Sequence, residues 1–340
     1  MNNRFGNLES HPRIHLGHAP TPLERMKILE KCLGAETPGL YIKRDDCTGL
    51  AFGGNKVRQL EFYLGEAVEQ GCDTVLITGA VQSNFVRLAA AAAATLGMEC
   101  HVQLEERVAR DNPLYRNSGN VLLDRLLGAH LHSYPEGEDE EGADRQLGVI
   151  AEKLKAQGRK PYIVPLAPGH PPLGALGYVV AAREIMTQAA DMNIRFDEIV
   201  VASGSGNTHA GLVFGLRALG VQTRVTGACV RREATLQTPR IAARCAQIAA
   251  LLDMDNPVTD EDIVLDDRFL APGYGTLNAA VSQALKLGAQ SEALILDPVY
   301  TGRTMAAALA RAKHMSREQN MLVIHTGGTP AVFAYGDDLL

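Results

Sequence analysis

Short apolar runs recur along the chain, separated by longer amphipathic or alanine-rich stretches, and this rhythm constrains the fold more than any other feature. Residues 40–43, 74–78, 99–104, 129–132, 161–165, 198–201, 224–230, 293–296 and 321–325 read as strands. Residues 59–69, 80–96, 121–127, 146–157, 176–190, 208–219, 241–252, 279–287 and 304–313 read as helices. Strands of roughly 4–6 residues alternating with helices of about 10 or more predict parallel βαβ units, hence an α/β protein. With 340 residues the chain is too long for one small core and fits about two domains.

Composition narrows the partners. A net charge of −6 and no long basic run argue against nucleic acid. No stretch approaches the ~18 apolar residues of a membrane helix, and Met1-Asn2-Asn3-Arg4 leads into polar sequence without a secretory signal. A cytoplasmic protein with no membrane partner is therefore expected. The six cysteines show no CxxC pair, and no metal site is expected. The acidic stretch from Glu136 to Gly142 reads as a solvated surface loop.

In open α/β sheets, ligands bind beyond the carboxyl ends of the strands. Four loops there carry unusual residues. Ser203-Gly204-Ser205-Gly206-Asn207-Thr208 joins a strand to a helix; its glycines and free N–H groups suit an anion, with Ser205 and Thr208 as hydroxyl donors. It matches neither Walker A nor GxGxxG, and a purely structural Gly/Ser turn fits the same residues. Gly53-Gly54-Asn55-Lys56 places a lysine at a helix start, where the local field disfavours its protonation and so suits Schiff-base chemistry. The alternative is an ordinary solvated lysine. Gly79-Ala80-Val81-Gln82-Ser83-Asn84-Phe85 can present N–H groups to a carboxylate, or Ser83 or Asn84 can be a plain N-cap. Last come Gly273-Tyr274-Gly275, Asp297-Pro298-Val299-Tyr300-Thr301-Gly302 and His325-Thr326-Gly327-Gly328; tyrosines in such loops serve packing as readily as catalysis.

Together with Thr21-Pro22-Leu23-Glu24 and Ile42-Lys43-Arg44-Asp45-Asp46, these motifs span nearly the whole chain. The sequence resembles the pyridoxal 5′-phosphate (PLP)-dependent D-cysteine desulfhydrase and 1-aminocyclopropane-1-carboxylate deaminase family, with its L-cysteate sulfo-lyase-like members. The resemblance implies the tryptophan-synthase-β-like fold (fold type II), with two open, twisted, mostly parallel sheets and helices on both faces. A cofactor domain of residues 1–52 and 165–340 would enclose a small inserted domain, 53–164, that carries Lys56.

By resemblance, Lys56 holds the cofactor as a Schiff base and moves the α-carbon proton, while Asn84 lies near the cofactor's phenolic oxygen. The backbone of Ser205, Gly206, Asn207 and Thr208 binds the phosphate. Ser83 and the backbone after it, through Asn84 and Phe85, take the substrate carboxylate. Tyr274 and Tyr300 face the substrate, and Thr301 or Thr326 sits near the pyridine nitrogen. A hydroxyl there softens the electron sink relative to a carboxylate, which suits β-elimination.

Two positions depart from the family pattern. Phe85 stands where a histidine or glutamine is usual, and Pro168-Gly169-His170-Pro171-Pro172-Leu173 replaces a Gly-Gly-Ser-Asn version. Threonine at 301, where the deaminases have glutamate, points to the desulfhydrase and sulfo-lyase side. The expected activity is α,β-elimination from a small β-substituted amino acid, D-cysteine or L-cysteate, giving pyruvate, ammonia and a sulfur species, in a homodimer. Ring-opening deamination and racemisation are the alternatives, and a weakly active amino-acid-binding protein is a third.

Overall fold

The computed structural model describes residues 4–167 and 169–339, so Pro168 lies outside the described residues. The strands are β1 (Leu23–Arg25), β2 (Gly39–Arg44), β3 (Thr74–Ala80), β4 (Glu99–Glu105), β5 (His130–Tyr134), β6 (Pro161–Val164), β7 (Glu198–Ser203), β8 (Arg224–Cys229), β9 (Val264–Asp266) and β10 (Asn320–His325). They form two sheets, ordered β1-β2-β10-β7-β8-β9 and β5-β4-β3-β6. Every pair is parallel except β1 with β2.

Both faces of the large sheet are covered because apolar side chains alternate along its strands. Ile199, Val201, Leu322 and Ile324 pack into one core with helices Leu176–Asp191 and Asn207–Ala218. Val200, Met321 and Val323 pack into another with helix Thr301–Ala312. The small sheet follows the same rule. Val75 and Ile77 meet helix Asn84–Thr95, while Leu76 meets Leu147, Ile150 and Leu154 of helix Glu140–Ala156.

Lys43, Asp45 and Arg58 form a buried charged scaffold. Arg58 donates to Asp45 and Glu184, Lys43 Nζ reaches Glu184 at 2.5 Å, and Tyr178 donates to Asp45. These pairs pin the first turn of helix Lys56–Glu69 against β2 and helix Leu176–Asp191. A buried pair of this kind is costly to break by removing one partner.

Several elements differ from the sequence reading. Residues 293–296 form no strand, although the Leu-Ile-Leu alternation buries Leu294 and Leu296 and exposes Ile295. Their backbone is engaged elsewhere: Leu294 N donates to Gly288, and Asp297 N to the Thr301 hydroxyl. The three-residue strands β1 and β9 are too short to show a period, and helix Lys27–Leu33 was likewise not anticipated.

Candidate active site

The carboxyl ends of β3, β7, β8 and β10 converge on one cleft with about 890 Å³ of empty space, its open mouth included. Its walls include Lys56, Ser83, Asn84, Phe85, Ser205, Gly206, Thr208, Tyr274, Tyr300 and Thr326. Ten of the predicted site residues therefore meet in one place, drawn from both sheets.

Lys56 is the first residue of helix Lys56–Glu69. Its loop is seated by the Gly54–Gly327 bridge and by Asn55 N donating to Thr326 O at 3.0 Å. A Cβ on Gly327, which has φ +88°, would lie 2.6 Å from the Gly54 Cα, so only glycine permits this approach. Among the described residues the Lys56 amine has no hydrogen-bond or ion-pair partner; it rests 4.9 Å above the Phe85 ring. Burial pushes its pKa down to about 8, a value at which a useful share of the amine is free.

The opposite wall is an anion cradle. Gly206, at φ 103°, caps helix Asn207–Ala218, whose first N–H groups have no helical acceptor. Asn55 Nδ2 and Gln59 Nε2 both donate to Thr208 Oγ1, at 2.8 and 2.9 Å. With both acceptor positions taken, the Thr208 hydroxyl proton is left to donate into the cleft. A glycine-lined helix N-terminus facing an unpartnered amine fits a phosphorylated aldehyde, with the N–H groups and Thr208 on the phosphate and Lys56 on the carbonyl carbon.

Ser83 is the N-cap of helix Asn84–Thr95, its Oγ accepting from Val86 N at 3.3 Å. The Asn84 carboxamide oxygen accepts from Asn120 Nδ2 at 2.8 Å. The hydroxyls of Tyr274 and Tyr300 lie 2.7 Å apart, and burial raises both pKa values, so the pair stays protonated at neutral pH. Asp297 fixes Tyr300 by accepting from its N–H at 2.9 Å.

Two predicted residues keep their side chains out of the cleft wall. Thr301 lies off the cleft wall, its hydroxyl donating to Asp297 Oδ1 at 2.7 Å, so Thr326 supplies the hydroxyl in the pocket. Asn207 points its side chain away, toward the Tyr63 hydroxyl at 3.4 Å, leaving only its backbone near the cradle. Of the atypical stretch after 168, residues 169–173 do not line the cleft; Leu166 does.

The charged wall was missed. Arg107, Glu140, Arg231 and Arg240 also line the cleft. Glu140 belongs to the stretch read as a solvated loop, yet its side chain is only 19 % exposed and it bridges Arg231, Arg232 and Arg240 of the large sheet's connections. Against the upward push of burial, these arginines hold its carboxyl down at about 2. No local pattern signals this, since the partners lie about a hundred positions away; Arg107, just past the end of β4, was findable by its place after a strand.

A two-sheet α/β fold with an unpartnered lysine and an anion cradle in one cleft defines an enzyme of the pyridoxal-phosphate class. The sequence pattern of the family described as "Pyridoxal-phosphate dependent enzyme" matches residues 14–327, and the chain belongs to that family. A D-cysteine desulfhydrase of Klebsiella pneumoniae subsp. pneumoniae is 42% identical over 331 residues, 97% of this chain and 98% of the relative. A 1-aminocyclopropane-1-carboxylate deaminase of Burkholderia multivorans is 40% identical over 332 residues, with the same coverage. A crystal structure of an ACC deaminase homologue superposes with a TM-score of 0.87 at 36% identity, covering 100% of this chain and 99% of the other. O-ureido-L-serine synthase, at 18% identity and a TM-score of 0.66, shares the fold.

Proposed function

We propose that this chain catalyses α,β-elimination from a small amino acid bearing a leaving group on its β-carbon, such as D-cysteine or L-cysteate, releasing pyruvate, ammonia and the sulfur species. The observation that carries this reading is Lys56: an unpartnered amine, lowered to about 8, in one cleft with the Ser205–Thr208 cradle. The relatives named for D-cysteine desulfhydration, at 42% identity over nearly the full length, support the substrate class.

Bound pyridoxal phosphate supplies an aldehyde for the substrate amine and a ring that draws electrons from the α-carbon. This chain's residues do the rest. Lys56 receives the α-proton, the N–H groups that follow Ser83 hold the substrate carboxylate, and Phe85 keeps that wall apolar. The tyrosine pair delivers a proton to the departing β-substituent. Thr326 offers its hydroxyl in place of a carboxylate.

The segregation of β3–β6 within residues 53–164, with the other strands outside, supports an inserted small domain that meets the cofactor domain of 1–52 and 165–340 at this cleft. All six cysteines are free thiols, which accords with a cytoplasmic site of action, and resemblance to fold type II enzymes supports a homodimer. No helix among the described residues is long and apolar enough to cross a membrane.

Incubation with D-cysteine, L-cysteate and 1-aminocyclopropane-1-carboxylate, with assays for pyruvate, sulfide, sulfite and 2-oxobutyrate, tests the proposal. Pyruvate with sulfide or sulfite is expected. The 40% identical deaminase relative favours ring opening as the second reading, and 2-oxobutyrate as the sole product would establish it instead.

A further inference from the structure

The far end of the small sheet carries a cluster that the cleft does not use. Glu99 and His101 sit two residues apart on β4, so both point to one face. β5 runs parallel beside it as the edge strand, with His130 in register with His101 and His132 two residues on. All four side chains share that face.

We propose that Glu99, His101 and His130 form a binding site for a divalent transition-metal ion of the Zn²⁺ type. Their donor atoms all lie within 4.8 Å of one another. Glu99 Oε1 is 2.8 Å from His101 Nε2 and 3.2 Å from His130 Nε2. Ligand atoms around a tetrahedral Zn²⁺, with bonds of about 2.0–2.1 Å, stand about 3.3 Å apart, near this spacing; the stacked His101 and His130 rings must rotate apart to aim both lone pairs at one ion. Two imidazoles and one carboxylate suit Zn²⁺ and its borderline neighbours rather than Ca²⁺ or Mg²⁺.

The other atoms of these groups are also held in place. His101 Nδ1 lies 3.0 Å from His132 Nε2; with an ion in place of the Nε2 proton that now faces Glu99, Nδ1–H would donate to His132. The His101 ring stacks with those of His130 and His132, at centroid distances of 4.5 and 5.3 Å. Arg159 Nη2 occupies the second carboxylate oxygen of Glu99 at 2.9 Å, leaving Oε1 for the ion. Metal-binding histidines and carboxylates are held from behind in this way. His101 is 10 % exposed and His130 56 %, so one ligand is anchored and the other is open to arriving ions.

The position implies a role in stability rather than turnover. Glu99 begins β4 and Glu105 ends it beside the cleft, so roughly 3.3 Å per residue separates the two by about 20 Å. An ion there would tie the edge strand β5 to β4. Cysteine spacing gave no hint of it; the sequence signal is Glu-x-His at 99–101 and His-x-His at 130–132, the two-residue period of adjacent strands.

The test is calorimetric titration of ZnCl₂ into chelator-treated holoenzyme, run beside His130→Ala and the double variant His101→Ala/His130→Ala. The wild type should bind one more equivalent of Zn²⁺ than the double variant. His130→Ala, a change at an exposed side chain, should weaken that site at least tenfold. His132→Phe should weaken it by roughly 10- to 100-fold while leaving the three ligands in place. Zn²⁺ should raise the melting temperature of the wild type and not of the double variant. Equal stoichiometry and affinity in wild type and double variant, or no saturable binding by the wild type up to millimolar Zn²⁺, would overturn the proposal.

Discussion

Thr208→Val removes one hydroxyl that serves two purposes, and the structure separates their sizes. In the folded protein Thr208 Oγ1 accepts from the side-chain amides of Asn55 and Gln59, which are 8 % and 0 % exposed. Valine is nearly isosteric, so packing survives while two buried donors lose their acceptor. Each orphaned donor costs about 1–3 kcal/mol, giving a loss of about 2–4 kcal/mol once some relaxation is allowed. The same substitution deletes a hydroxyl donor to the cofactor phosphate. A hydrogen bond to a charged group contributes about 1.5–3 kcal/mol, so the dissociation constant for pyridoxal phosphate should rise roughly 10- to 150-fold. Denaturant unfolding of the apoprotein reads the first effect, and titration of the cofactor's visible absorbance reads the second. Thr208→Ser keeps the oxygen and should stay close to wild type in both. Unchanged cofactor affinity in Thr208→Val, with Thr208→Ser equally unchanged, would show that this hydroxyl does not face the phosphate.

Three further outcomes follow from the same geometry. The rate at which apoprotein takes up pyridoxal phosphate should rise with pH and level off above about 8, because only the deprotonated Lys56 amine reacts; a midpoint near 10.5 in stopped-flow absorbance would contradict its burial. Tyr300→Phe, which breaks the 2.7 Å contact with Tyr274, should lower turnover by about 10²- to 10⁴-fold while the cofactor band persists, as steady-state pyruvate assays would show. Glu140 is depressed from 4.5 to about 2 in the folded state, so its contribution to stability is present above pH ~4.5 and is lost as pH falls toward about 2. Thermal melts across that window should show a loss in wild type that Glu140→Gln lacks.

The layout was legible where the signal is local. Short apolar runs such as Ile199–Val201 and alanine-rich helices such as Asn84–Thr95 declare themselves in a few residues, and so do the glycine-flanked Lys56 and the Ser203–Thr208 loop. What escaped depends on partners distant in sequence. Glu140 looks like one more acidic surface residue until Arg231, Arg232 and Arg240 are folded against it. Thr301 and Thr326 are equivalent hydroxyls in the sequence, and only Asp297, which engages Thr301, distinguishes them. Residues 293–296 form an apolar run like a buried strand but join no ladder among the described residues, and pattern alone cannot register a missing partner.

The account depends on Lys56 being the amine that captures the cofactor. Borohydride reduction of the loaded enzyme, followed by proteolysis and peptide mass spectrometry, locates that bond directly. A single pyridoxyl group on Lys56 is the predicted result. The label on a different lysine, or no lysine labelled in enzyme that turns over substrate, would contradict it.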